Sequence, residues 1–206
     1  MSGDTILEKN VPEKPEHAGE LEASGFDGLI KALHEGKTPA ERRYAAYLLR
    51  KNGMNPVAIP LLIEALSDPD KSVREQAMFT LSAMGTAAIE PLTDAMKDPK
   101  WETRYRALEA LGRIADEKAL KPLLQGLKDN RDHVRYMAAK GLKELGDSDA
   151  LEPLIILLRD ENPFVRMMSV RALGAIGGEQ ATEALNATLA TETDEKIRAA
   201  ITEALR

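Results

Sequence analysis

Histidine–glutamate pairs are the sequence feature that could hold a metal centre, and this chain contains one, His34-Glu35. No glutamate follows His17 or His133, the other two histidines. One pair cannot supply the three or four protein ligands that a metal site usually needs. The chain has no cysteine, so thiolate ligands, disulfides and a cysteine nucleophile are excluded. We therefore expect no metal, no cofactor and no catalytic residue.

One carboxylate stands among side chains that could assist acid–base chemistry. Glu109 lies four residues after Tyr105, three after Arg106 and four before Arg113. Such a carboxylate could serve a nucleic-acid enzyme, but a surface that tracks phosphates needs a larger excess of positive charge. The net charge of −6 and the pI of about 5.3 argue against broad nucleic-acid binding. The spacing is more simply that of ion pairs on a helix surface.

These residues belong to a repeat of about 31 residues. The segment from Ala58 to Gly85 reads as two short amphipathic helices joined by a turn, and similar segments follow it three times. The second helix of each copy carries a small or apolar residue and another apolar residue four positions later: Ala45 and Leu49, Ala77 and Leu81, Ala107 and Leu111, Ala138 and Leu142, Ser169 and Leu173, Ile201 and Leu205. Helical geometry places both on one face, which a single hairpin cannot bury alone. The sequence predicts an all-α, right-handed solenoid, an α-α superhelix of about six hairpins.

Proline and charged residues mark the two helices of each repeat. Pro91, Pro122 and Pro153 lie one to two turns inside the first helix and are expected to bend it. An arginine precedes the small residue by three positions, at Arg42, Arg74, Arg104, Arg135, Arg166 and Arg198. An aspartate lies six residues before it in the middle copies, at Asp68, Asp98, Asp129 and Asp160. The arginines could form a stripe for phosphates. A structural Asp–Arg ladder that links neighbouring hairpins is favoured, because both partners recur and arginine pairs with carboxylates in a fork.

The motif Asp-x-x-x-x-Val-Arg-x-x-Ala-x-x-x-Leu-x-x-x-Gly resembles the HEAT-like repeats of the phycobilisome-lyase type. The matching residues are Asp68, Val73, Arg74, Ala77, Leu81 and Gly85, and again Asp129, Val134, Arg135, Ala138, Leu142 and Gly146. The resemblance covers about residues 25–206 and implies HEAT-like hairpins, but it does not specify an activity. Some relatives of the fold are di-iron hydroxylases, whose several His-Glu pairs this chain lacks. We favour a non-catalytic interaction module; the alternative is an enzyme or lyase-type accessory subunit acting on a tetrapyrrole or nucleic acid.

Residues 1–24 lack the repeat and are polar and acidic, with two prolines. This composition predicts a flexible tail before a repeat domain at residues 25–206. The alternative is a tethered docking peptide, with Ile6, Leu7 and Val11 as its apolar anchors. No apolar run is long enough to cross a membrane. We expect a cytoplasmic monomer.

A partner surface is predicted on the second helices, which line the inner, concave wall of stacked hairpins. The positions one, two, five and nine after each ladder arginine are expected to point away from the core. The predicted partner-binding residues on this wall are Arg43, Tyr44, Tyr47, Phe79, Tyr105, Arg106, Glu109, Arg113, Tyr136, Met137, Lys140, Met167, Met168 and Arg171. Tyrosine, methionine and arginine are enriched at protein interfaces.

The partner is expected to be a protein or peptide segment, acidic or amphipathic, because the wall is mildly basic on an acidic molecule. Neither a membrane nor a nucleic acid is expected as a partner. Trp101 could form an edge of the site beside Tyr105. The alternative interpretation is that the bulky residues fill a tight inner curve.

Overall fold

The computed structural model describes residues 11–206, and its regular elements are helical. Residues 11–206 contain thirteen α-helices: α1 (Ala18–Ala23), α2 (Gly25–Glu35), α3 (Pro39–Lys51), α4 (Ile59–Ala65), α5 (Lys71–Met84), α6 (Ile89–Ala95), α7 (Trp101–Ile114), α8 (Leu120–Gly126), α9 (Asp132–Leu145), α10 (Leu151–Ile156), α11 (Pro163–Ile176), α12 (Glu179–Thr191) and α13 (Glu195–Ala204). They fall in two compact units. Unit 1 ends at Ala95 and holds α1–α6, and unit 2 begins at Met96 and holds α7–α13.

The longer, second helices begin where the sequence offers backbone hydrogen-bond acceptors. Thr38 and Glu41 form a capping box at the start of α3, each side chain accepting from the backbone N–H of the other. Asp70 accepts from two backbone N–H groups of α5. Arg131 cannot cap α9, and the turn before that helix is closed by Asp129, which accepts from the Arg131 N–H.

The shorter, first helix of a hairpin was expected to be one continuous helix that is bent at its proline, and the structure differs from this. A turn of 3-10 helix directly precedes α4, α6, α8 and α10, at Pro56–Ala58, Gly85–Ala88, Glu117–Ala119 and Ser148–Ala150. Pro91, Pro122 and Pro153 are the third residues of α6, α8 and α10. The first four N–H groups of a helix have no partner inside it, so proline loses nothing at this position. The change from 3-10 to α-helical hydrogen bonding therefore takes place before the proline, which does not itself cause a bend.

The predicted core positions are buried. Ala77, Ala107 and Leu111 are among the core residues of their units, as are Leu142 and Leu173. Leu205, at the end of the last helix, is the exception, since it is half-buried. In unit 2, α9 packs between α7 and α11, and α11 also packs against α13. The sequence-based assignment of the hairpin core is confirmed.

Within the two units, the Asp–Arg ladder is confirmed at Arg42, Arg104 and Arg135, and Glu192 takes the place of the aspartate opposite Arg166. The Nε and Nη2 groups of each of these arginines donate to the two oxygens of a carboxylate about 25 residues further along the chain. The Nε and Nη2 distances are 2.6 and 3.0 Å for Arg42 and Asp68, 2.7 and 2.8 Å for Arg104 and Asp129, 2.7 and 2.9 Å for Arg135 and Asp160, and 3.0 and 3.3 Å for Arg166 and Glu192. The Nη1 group of each arginine donates to a carbonyl of its own turn, for example from Arg135 to Asp129 at 3.0 Å. One side chain thus closes its own hairpin and joins it to the next.

The segment before the repeats differs from a wholly flexible tail, because Ala18–Ala23 form α1. This helix contacts α2 and α3. The Glu22 carboxylate accepts a hydrogen bond from the Tyr44 hydroxyl and lies 2.8 Å from the Lys14 ammonium. The predicted anchors Ile6 and Leu7 lie outside the described residues, and Val11 is exposed.

Two features that would bear on function are absent from residues 11–206. No helix in this range combines the length and apolar character that would let it cross a membrane. Within the same range, histidine, aspartate and glutamate side chains do not form a group of three or more with metal-binding geometry.

Candidate partner-binding site

The second helices of unit 2 approach one another closely enough to narrow the surface between them. Gly112 on α7 faces Gly141 on α9, and a Cβ atom added to Gly112 would lie 2.7 Å from the Gly141 Cα. Both glycines therefore serve close backbone contact rather than helix formation. The residues that remain accessible on these helices form a narrow line.

We call this line the inner row. It consists of the positions one, five and nine after the ladder arginines of α7, α9 and α11. All are half-buried or exposed, and they are Tyr105, Glu109, Arg113, Tyr136, Lys140, Glu144, Met167, Arg171 and Ala175. Most of the predicted partner-binding residues of unit 2 are therefore accessible, and their role in binding a partner stays a prediction.

The prediction of exposure is wrong at three residues. Tyr44, Met137 and Met168 expose only 2%, 2% and 5% of their surface. Each lies two positions after a ladder arginine. Tyr44 is covered by the segment before the repeats, since its hydroxyl donates to Glu22 of α1. Met137 and Met168 lie on α9 and α11, which pack against neighbouring second helices. The accessible face is therefore narrower than the sequence suggested.

The remaining predicted residues divide between the units. In unit 1, Arg43, Tyr47 and Phe79 are half-buried. Tyr47 stacks on Tyr44 with ring centroids 5.8 Å apart, and the Arg50 guanidinium lies 5.5 Å from the Tyr47 ring centre. These rings are tied to the fold of unit 1, so we do not include them in the candidate site.

The first depression, which we call the rim pocket, lies at the start of α9 and α11. It has a volume of about 320 Å³ and is lined by Tyr105, Asp132, His133, Tyr136, Asn162, Phe164 and Val165. Trp101 adjoins it, with its ring centroid 6.3 Å from that of Tyr105 and 5.0 Å from that of His133. Phe164 is 73% exposed, so its ring lies outside the core. Aromatic rings from three turns of the repeat thus gather at one place.

The polar groups of the rim pocket centre on Asp132. Its carboxylate accepts hydrogen bonds from the His133 backbone N–H at 2.7 Å and from the Asn162 amide, and the His133 Nδ1 also lies 2.7 Å away. These hydrogen bonds, with that from His133 the strongest influence, hold the pKa of Asp132 below its usual value. The carboxylate is therefore ionised at neutral pH. Tyr105 is the opposite case, because burial, helped by the nearby Glu109, raises the pKa of its phenol.

The second depression, the central groove, lies between α7 and α9. It has a volume of about 380 Å³ and is lined by Leu108, Glu109, Gly112, Arg113, Ala115, Met137, Lys140, Gly141 and Glu144. Glu109 lies 3.4 Å from the Arg106 Nη1 and 3.7 Å from the Arg113 Nη2. Arg106 also lies 5.5 Å from the centre of the Tyr105 ring. The Glu109 set is thus a group of ion pairs on a helix surface, as its spacing indicated, and the buried Met137 forms part of the groove floor.

The structure brings together some predicted residues and adds others. Tyr105 and Tyr136 meet in the rim pocket, whereas Met167 and Arg171 line neither depression. The sequence pattern singled out neither Asp132 nor Phe164, and it noted His133 only as a histidine that no glutamate follows. The available signal was that His133 and Phe164 both stand two residues before a ladder arginine in consecutive repeats.

Comparison with known proteins supports the repeat assignment. A family model described as HEAT repeats matches residues 26–98, 59–135, 89–159 and 120–206. No curated protein matches the chain significantly in sequence.

Several solved structures are similar. The complex of CpcE and CpcF of phycocyanin lyase from Nostoc sp. PCC7120 shows 25% identity, covering 74% of this chain and 100% of that chain, with a TM-score of 0.68. A designed armadillo repeat protein in complex with the peptide (KR)4 shows 20% identity over 88% of this chain and 100% of its own, with a TM-score of 0.55. Human deoxyhypusine hydroxylase shows 24% identity over 90% of this chain and 74% of its own, with a TM-score of 0.51. The last two share the fold alone. The predicted α-α superhelix class and the resemblance to phycobilisome-lyase-type HEAT-like repeats are confirmed.

Proposed function

We propose that this chain, which belongs to the HEAT-repeat family, is a non-catalytic interaction module that binds a segment of a partner protein along the inner row of unit 2. The observation that carries the proposal is the position of two accessible aromatic residues of that row, Tyr105 and Tyr136, in the wall of the rim pocket. Aromatic side chains set in a depression are the usual anchors of protein interfaces. The central groove on the same helices offers room for a neighbouring side chain of the partner.

The charges of the inner row favour an amphipathic segment that carries some acidic residues. Arg113, Lys140 and Arg171 supply positive charge, and Glu109 and Glu144 supply negative charge. Glu109 already pairs with arginines, so Lys140 and Arg171 are the groups best placed to meet an acidic side chain of the partner. Apolar residues of the segment would contact Tyr136 and other apolar members of the row. A monomeric, cytoplasmic protein remains the prediction made from the sequence.

Selection from a displayed peptide library tests the proposal even while the natural partner is unidentified. Peptides selected on the full chain are synthesised, and their Kd is measured by calorimetry for the wild type and for Tyr136→Ala. Loss of an aromatic anchor costs about 2 kcal/mol, so the Kd should rise about 30-fold. Lys128→Ala, an exposed residue after α8, is the control and should leave the Kd unchanged. Equal Kd values for the wild type and Tyr136→Ala would place the binding site elsewhere.

The similarity to the phycocyanin lyase subunits favours one alternative, a lyase-type accessory subunit that binds a tetrapyrrole. The two functions are separable by spectroscopy. Mixing the protein with a linear tetrapyrrole should leave the visible spectrum equal to the sum of the two components if the chain is a protein-binding module. A new, saturable absorption band would support the lyase-type function instead.

A further inference from the structure

We infer that the rim pocket binds the cationic end of a lysine or arginine side chain supplied by the partner segment. The inference rests on the proposed function, since it names the chemistry of one partner side chain in the same site. It goes further than that function because it assigns a positively charged side chain of the partner to the rim pocket. The charged and amide residues of that pocket lie outside the inner row.

The walls of the pocket suit a cation because they are aromatic. Tyr105, Tyr136 and Phe164 contribute rings to one cavity, and Trp101 supports Tyr105 in an edge-on contact with an interplanar angle of 80°. The faces of such rings carry negative potential and attract ammonium and guanidinium groups. The Phe164 ring, at 73% exposure, lies outside the core and lines the cavity, where it is accessible to a ligand.

Asp132 gives the pocket its charge preference. The carboxylate accepts hydrogen bonds from the Asn162 amide and the His133 backbone N–H, and the His133 Nδ1 lies 2.7 Å from it. These contacts fix the position of the group. An ionised carboxylate accepts up to about four hydrogen bonds, so an incoming N–H donor finds remaining acceptor capacity. The neighbouring Asp129 and Asp160, in contrast, are occupied by the arginines of the ladder.

Other classes of partner side chain fit this pocket less well. An acidic side chain would be repelled by Asp132 and by the faces of the rings. A purely apolar side chain would fill the cavity but would remove water from an ionised carboxylate without replacing its hydrogen bonds. A side chain with a long alkyl stem and a cationic end satisfies both the rings and the carboxylate, and about 320 Å³ accommodates one such chain.

The protein contains an internal probe of the pocket, because Trp101 is the single tryptophan of the sequence. The full chain is titrated with N-acetyl-arginine methylamide and N-acetyl-lysine methylamide while Trp101 fluorescence is recorded. N-acetyl-norleucine methylamide serves as the apolar probe of similar length, and N-acetyl-glutamate methylamide as the anionic probe. We expect a saturable change with one or both cationic probes, and at least about tenfold weaker binding of the norleucine and glutamate probes.

Asp132→Asn, which keeps the shape of the side chain, should weaken the cationic probes about tenfold and leave the norleucine probe unchanged. Asp149→Asn, an exposed residue in the turn before α10, is the control and should change neither. Norleucine binding as strong as arginine and lysine binding, glutamate binding preferred, or full cation binding by a folded Asp132→Asn variant would each overturn the inference. Any of these results leaves the peptide-display experiment able to support a partner site on the inner row, so the two proposals fail separately.

Discussion

Arg135 holds the Asp160 carboxylate in a two-pronged contact, with its Nε and Nη2 atoms 2.7 and 2.9 Å from the two oxygens. The same guanidinium donates from Nη1 to the Asp129 carbonyl at 3.0 Å. One largely buried side chain therefore connects the turn before α9 with the turn before α11. This contact explains why the charged residues of the repeat recur with the same spacing as its apolar residues.

Removing Arg135 should destabilise unit 2 strongly. The pair is mostly out of solvent, with 12% and 8% of the two side chains exposed, so Arg135→Ala leaves a buried carboxylate without its counter-charge. Such a loss typically costs about 3–5 kcal/mol. Urea unfolding followed by circular dichroism measures it, and the exposed Arg131→Ala is the control, expected to change stability by less than about 0.5 kcal/mol. Similar values for the two variants would contradict a stabilising role of the ladder.

The ladder should also make stability depend on pH in the acid range. Burial raises the pKa of Asp129, but hydrogen bonds from Arg104 and from the Arg131 N–H outweigh it and hold that pKa below its usual value. The pKa values of Asp68 and Glu192 are lowered in the same way, by Arg42 and by Arg166.

A carboxylate with a lowered folded-state pKa stabilises the fold fully above its unfolded pKa, about 3.9 for aspartate. That contribution is lost as the pH falls through the lower, folded-state value. We expect the free energy of unfolding to be nearly constant from pH 7 to about 5.5 and to fall below about pH 4. The measurement is urea unfolding at each pH, and Asp129→Asn should show a shallower fall. An unchanged slope in that variant would exclude Asp129 as a source of the pH dependence.

Substitution by alanine should change the stability of the protein in opposite directions at two glycines, one at the close approach of α7 and α9 and one on the exposed surface of α1. Gly112→Ala places a methyl group 2.7 Å from the Gly141 Cα, which is backbone and cannot move aside cheaply. We expect a loss of about 1–3 kcal/mol, even though alanine favours the helix. Gly19→Ala in α1 meets nothing within 4 Å and should be neutral or stabilising by up to about 1 kcal/mol. Thermal unfolding of both variants is the test, and a stabilising Gly112→Ala would contradict the close packing.

How far the sequence predicts this molecule depends on whether a feature repeats. The arginine and aspartate positions of the repeat, represented by Arg104 and Asp129, recur with the same period, so an ion pair between them could be inferred from the sequence. The rim pocket could not be inferred in the same way, because Asp132, His133 and Phe164 each occur once at their positions and approach one another only through the packing of turns. The helical period also left the width of the accessible face open, because it does not say how closely neighbouring second helices pack.

Tyr44 is removed from the accessible face by a different contact, with α1, and it gives the last prediction. The sequence pattern predicted the same partner-binding role for Tyr44 and Tyr136. Tyr44, however, is 2% exposed, and its hydroxyl donates to Glu22 of α1. Tyr44→Ala should therefore cost about 3–5 kcal/mol of stability through a buried cavity, and Tyr44→Phe about 1 kcal/mol through the lost hydrogen bond. The half-buried Tyr136 should cost about 1 kcal/mol or less when changed to alanine, with its main effect on binding. Thermal and urea unfolding of the three variants decide the matter. If Tyr136→Ala unfolds as readily as Tyr44→Ala, then Tyr136 fills the inner curve of the repeat rather than anchoring a partner.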